Sequence, residues 1–148
     1  MVTNRPVAQP SPTAPAYELD VVIFPAPSEC GPEAAITLAQ TQSDLALAAA
    51  ANLEPLEAAA AGPTQVAAVG QAAFGAALEL MAAYRVPDCL APAHALAVQF
   101  FQERRAGYEA LAVGAVESFE RHLAQGEVAR QAMTAAVNEV LAGAEGRS

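Results

Sequence analysis

A chain of 148 residues carrying 16 acidic residues against seven arginines and no lysine, for a formal charge of −9, has room for one ordinary domain. It lacks the basic stripe that binding to nucleic-acid phosphates requires. Hydrophobic residues are 54% of the chain, but 39 residues are alanine, which favours helix strongly while each buried methyl contributes only about 0.8 kcal/mol against roughly 1.5–3 for a buried Leu or Phe.

Seven of the eleven prolines lie within the first 32 residues, so the stretch to about Ala16 is expected to be an extended arm. It has no uninterrupted apolar core of the signal-peptide kind. A short apolar segment follows within residues 18–25, where Val21, Val22, Ile23 and Phe24 are stopped by Pro25. With no second strand candidate to pair with, this segment is expected to lie extended on the helices, or to dock on a partner. The arm and this segment together span residues 1–31.

A helical domain is expected over residues 32–143. Pro32 and Glu33 suit a first turn, because proline's missing N–H costs nothing there and a carboxylate complements the helix dipole. This helix runs to about Leu53 and breaks near Pro55. Gly62 stops the following alanine run and Pro63-Thr64 restarts a second helix over roughly 64–84. Residues Ala58 to Leu78 carry no charge, but Gly62-Pro63 and the two glutamines make them a poor membrane span. After the break at Pro87-Asp88, a third helix is expected from Leu90 to Leu123. Gly126 reads as a hinge before a fourth helix ending near Gly143, and residues 144–148 as a frayed tail.

The third helix carries most of the large side chains. With Tyr108 at zero and about 100° per residue, Leu90, Ala97, Phe101, Ala115 and Phe119 fall within about 20° of it, and Leu111 within about 60°. Phe100 adds a second ring beside Phe101. Arg104 and Arg105 lie on the shoulders of the stripe, where their stems can follow apolar surface while the guanidinium reaches water; Arg105 also has Glu109 at i,i+4. Leu90, Phe100, Phe101, Arg104, Arg105, Tyr108, Leu111 and Phe119 are therefore the candidate surface- or partner-binding residues. A continuous helix of this length is about 50 Å long, too long for shorter neighbours to cover. An all-α fold follows: an elongated bundle or coiled coil of about four amphipathic, alanine-rich helices, prone to homo-oligomerise. Gly107 and Gly114, at one edge of the stripe, would admit a second helix closely.

The residues that could carry chemistry do not assemble into a recognisable site. His94 and His122 lie about 42 Å apart on a straight helix and cannot share one ion; each reads as hydrogen-bonded or interfacial, and no metal or cofactor is expected. Cys30 and Cys89 form neither a CxxC pair nor a disulfide framework. Cys89 is expected to be a small packing residue, in a reducing cytoplasm. No nucleophile elbow or phosphate-binding loop is present, and the reading is that of a non-enzyme.

Residues 80–123, "LMAAYRVPDCLAPAHALAVQFFQERRAGYEALAVGAVESFERHL", resemble the core of phasins, the small proteins that coat polyhydroxyalkanoate granules. The positions that carry the resemblance are Pro87-Asp88, Leu96, Gln99, Phe100-Phe101, Tyr108 and Leu111. "TQSDLALAAAANLEPLEAAA", residues 41–60, is similar to the first phasin helix. The lysines common in that family are missing here, and the arm lies outside the resemblance. The resemblance implies a non-catalytic amphiphile in the cytoplasm, adsorbed to a hydrophobic polyester granule surface, limiting coalescence and recruiting other granule proteins. The residues alone leave a second reading open, a soluble, self-associating helical adaptor or chaperone module in which the same stripe is an interior.

Overall fold

The computed structural model describes residues 18–146, and the Pro-rich stretch to Ala16 lies outside them. Five helices follow in order: α1 (Pro32–Ala51), the short α2 (Glu54–Ala58), α3 (Pro63–Ala83), α4 (Ala91–Ala112) and α5 (Val116–Gly146), with a 3-10 turn at Asp88–Leu90. No strand occurs among the described residues. α1, α3, α4 and α5 form an all-α bundle. α3 and α5 each pack on α4, and α1 completes the ring against α3 and α5.

Proline starts the helices. α1, α2, α3 and α4 each have it at one of their first two positions, where an amide hydrogen would have no intrahelical acceptor. The expected start of α1 at Pro32, its break near Pro55 and the restart at Pro63 all hold. The expected single helix from Leu90 to Leu123 does not. α4 ends at Ala112, and Gly114 takes φ +77°, a conformation that costs any residue with a Cβ. The Ala115 amide donates to the Ala110 carbonyl at 2.9 Å and the Gly114 amide to Leu111 at 3.0 Å. This pair of bonds is a Schellman cap. Gly114 is therefore a turn rather than a contact surface, and the long rod folds back as a hairpin.

Gly126 was expected to hinge, but α5 runs through it for 31 residues, to Gly146. The helix thus ends three residues beyond the expected Gly143, and residues 144–146 of the expected tail belong to it. The role of Gly126 is close approach: a Cβ there would meet the Glu103 Cβ at 3.4 Å and the Phe100 carbonyl at 3.5 Å. Gly107 faces Phe119 and His122 in the same way, with 3.4 Å to each. These two contacts, running in opposite directions along the chain, define an antiparallel α4–α5 hairpin. Gly107 thus does admit a neighbouring helix, as expected, and that neighbour is the chain's own α5.

α3 presents a small-residue groove to α4. Its buried residues are Ala67, Gly70, Ala73, Phe74, Ala77 and Met81, so the larger side chains of α4 enter where α3 is thin. α3 is long and apolar enough to cross a membrane by length and composition, with mean hydropathy 1.5; here that groove is filled by α4. α1 is the lightest member. It contributes Ala34, Ala35, Leu38, Thr41, Gln42, Leu45 and Ala49 to the interior, and alone among the four long helices it has no aromatic residue.

The apolar segment forms an extended strap. Leu19, Val21 and Ile23 turn inward onto the core, while Val22 and Phe24 face outward. The Tyr84 hydroxyl donates to the Phe24 carbonyl at 2.8 Å. The strap ends in a disulfide between Cys30 and Cys89, residues 59 apart in sequence. This overturns the expectation of Cys89 as a packing residue. Both cysteines are solvent-exposed, and the bond ties the residues leading into α1 to the turn leading into α4.

Candidate functional site: an enclosed aromatic stripe

The stripe read from the sequence exists, and the bundle closes over it. Phe101 and Leu90 are fully buried, and Phe100 and Tyr108 nearly so, at 3% and 7% exposed. Leu111 and Phe119 are half-buried and pack against the same core. Six of the eight candidate residues therefore face the interior of the folded chain. The two arginines remain at its edge.

Tyr108 sits at the middle of an aromatic row. Its ring stacks on Phe74 with centroids 5.6 Å apart and planes at 14°, and meets Phe119 at 5.3 Å, tilted by 56°. Offset stacking and tilted contacts let each ring's positive edge approach a neighbour's negative face. Beneath Tyr108 lies Gly70, where a Cβ would come within 2.7 Å of ring carbon Cδ2 and closer to two others. The ring therefore occupies the place of the missing side chain. Burial raises the Tyr108 pKa above its ordinary value; Arg104 partly opposes the shift and Glu57 adds to it.

Arg104 spans the row. Its guanidinium carbon lies 5.2 Å from the Phe100 centroid and 5.9 Å from that of Phe74, the geometry of cation–π attraction. Its Nε is buried without a hydrogen-bond partner, so the ring faces are what that nitrogen has. Phe100 meets Phe101 edge-on at 4.9 Å. Arg105, by contrast, stays exposed and pairs with Glu109 at 3.7 Å, the expected i,i+4 pair, worth a few tenths of a kcal/mol at most.

The two histidines are on different helices and hold the bundle at separate points. His94 Nε2 donates to the Met81 carbonyl at 2.7 Å, satisfying an acceptor in the last turn of α3. His122 Nδ1 lies 2.7 Å from Glu103 Oε1 across the α4–α5 hairpin. Arg130 and Glu127 form a further ion pair along α5, whose hydrogen bonding lowers the Glu127 pKa. Among the described residues, no group of three or more His, Cys, Asp or Glu could hold a metal ion.

Sequence reasoning missed Phe74, Gly70 and the cysteine pairing. Phe74 and Gly70 were legible as the one aromatic and a glycine four residues before it in a helix otherwise rich in alanine. Phe100, Phe101, Tyr108 and Phe119 share the α4–α5 hairpin, and the alanine-rich α3 packs over its α4 side. The chain matches no family model, no curated protein and no solved structure.

Proposed function

We propose that this chain is a non-catalytic, phasin-like amphiphile that keeps its aromatic stripe inside a closed bundle when alone and transfers it to an apolar polyester surface by lifting α1 and the strap. The observation that carries this reading is the uneven interior. Phe74, Phe100, Phe101, Tyr108 and Phe119 all lie on α3, α4 and α5, and α1 closes the ring without an aromatic residue, setting Leu38 and Leu45 among alanines and the polar Thr41 and Gln42. One of these, Gln42, has a buried Nε2 with no partner, which makes α1 the least costly helix to remove. The rings are out of water in either state, so their burial, about 1.5–3 kcal/mol each, is largely conserved in the exchange. What remains to be offset is the lighter packing of α1. A charge of −9 would then keep coated particles apart.

The test is co-sedimentation of the protein with polyhydroxybutyrate particles, beside silica of equal area. Saturable binding to polymer alone, slowed by Gln42→Met, supports the reading. Absence of polymer binding refutes it.

A second reading, a protein-binding adaptor that stays closed, is favoured by a separate feature. Val22, Phe24 and Leu47 are exposed at 70%, 68% and 67% and share one shallow groove with Asp20 and Asp44. On that reading Val22→Ser/Phe24→Ser abolishes association or oligomerisation, measured by analytical ultracentrifugation, with the thermal melt unchanged.

A further inference from the structure

The strap and α1 are held to the rest of the bundle at one covalent point. The Cys30–Cys89 disulfide joins the residues before α1 to the 3-10 turn before α4. Both sulfur-bearing residues are exposed, so an external thiol can reach them. Among the described residues, the strap is otherwise held by partly buried side chains, Leu19, Val21 and Ile23 on the core with Ala26 and Pro27 after them, and by the hydrogen bond from Tyr84 to the Phe24 carbonyl. Cys30 precedes Gly31, the N-cap of α1, so any freedom gained at Cys30 passes directly to that helix. A disulfide persists in an oxidising compartment, and an exposed one is open to thiol exchange in a reducing one.

We propose that Cys30–Cys89 is a redox latch on the bundle, closed as a disulfide and opened by a dithiol reductant. One thiolate of the reductant attacks a sulfur of the pair and forms a mixed disulfide, and the other cysteine leaves as a thiolate. The second thiol of the reductant then resolves the mixed disulfide. The reductant ends as its own disulfide, while Cys30 and Cys89 together gain two electrons and two protons. Opening frees the strap and the start of α1 from α4, which is the motion that delivers the stripe to a surface. The inference rests on the surface-binding reading for its purpose, but not for its mechanics.

Two measurements separate those parts. Hydrogen exchange of the protein without polymer, oxidised, reduced with dithiothreitol, and as Cys30→Ser/Cys89→Ser, reads the latch alone. Exchange in residues 18–51 should accelerate at least ~10-fold more than exchange in α4 and α5 in the last two states. Equal protection in all three states, or a uniform loss across every helix, overturns the latch. Adsorption to polyhydroxybutyrate particles in the same three states reads its use. Faster adsorption when reduced supports the latch's use in surface delivery, and equal adsorption in all three overturns that use while leaving the surface reading intact. Absence of adsorption in every state overturns the surface reading; the exchange result then decides the latch as a purely mechanical device.

Discussion

Replacing Gly70 by alanine sets two physical effects against each other with opposite signs. Helix propensity alone makes the substitution stabilising by about 1 kcal/mol, because glycine loses more backbone entropy in a helix. The structure predicts the reverse. An added Cβ at Gly70 would lie 2.7 Å from Tyr108 Cδ2 and closer to Cγ and Cδ1, so the ring has to leave its seat. Overpacking of this kind costs about 1–3 kcal/mol. The displaced ring also gives up its stacking on Phe74 and its tilted contact with Phe119, each worth about 0.5–1.5 kcal/mol. The net expectation is a loss of about 1–5 kcal/mol, read by urea denaturation followed by circular dichroism. Tyr108→Ala in the Gly70→Ala background should cost less than it does in the wild type, since the clash has gone and the new methyl fills part of the cavity. A Gly70→Ala variant as stable as wild type, or more stable, would refute the placement of Tyr108 over α3.

Four further outcomes follow from other parts of the fold. Gln42→Met should raise stability by about 1–2 kcal/mol in the same denaturation assay, because it removes a buried amide nitrogen with no partner. Ala60, at φ 54°, occupies the left-handed position of a cap in which Ala61 N–H bonds to the Leu56 carbonyl at 2.9 Å; Ala60→Gly should stabilise by about 1 kcal/mol. Cys30→Ser/Cys89→Ser should lower stability by about 4 kcal/mol through the entropy of the loop it no longer closes, and reduction of the wild-type protein should lower its melting temperature to that of the variant. Tyr108 has its pKa raised above the ordinary 10.0, so the unfolded chain loses this proton first as pH rises; stability is complete below about pH 10 and falls above it, as an alkaline series of thermal melts would record.

The physics that was legible in the sequence is local. Pro32, Pro63 and Pro92 announce helix starts through the amide hydrogen they lack, and the stripe from Leu90 through Phe101 and Tyr108 to Phe119 is visible in helical periodicity even though the helix is broken. The break itself was also locally encoded. Val113 is the one large apolar residue on the side of the helix opposite the stripe, among Gln99, Gln102, Glu103 and Glu117, and it immediately precedes Gly114, the pattern of a helix C-cap. Reading Gly114 as a contact surface made one rod of two helices, and the rod's length then implied a surface it could not cover alone. With the hairpin in place, Phe119 returns to Tyr108 and the stripe is covered by α3, α5 and α1. Gly126 was misread for a related reason: a glycine inside a helix gives no sign, by itself, whether it bends the chain or admits a neighbour. The pairing of Cys30 with Cys89 has no local signature at all. Their separation of 59 residues is bridged only when α1 and α3 bring their outer ends together.

On the proposed reading, α1 leaves the bundle so that the aromatic stripe can meet a surface. The most direct measurement is hydrogen exchange by mass spectrometry on protein adsorbed to polyhydroxybutyrate particles, compared with free protein. The account predicts that residues 32–51 lose protection on the polymer while residues 91–112 keep or gain it. Adsorbed protein in which residues 32–51 stay as protected as in the free bundle would contradict it.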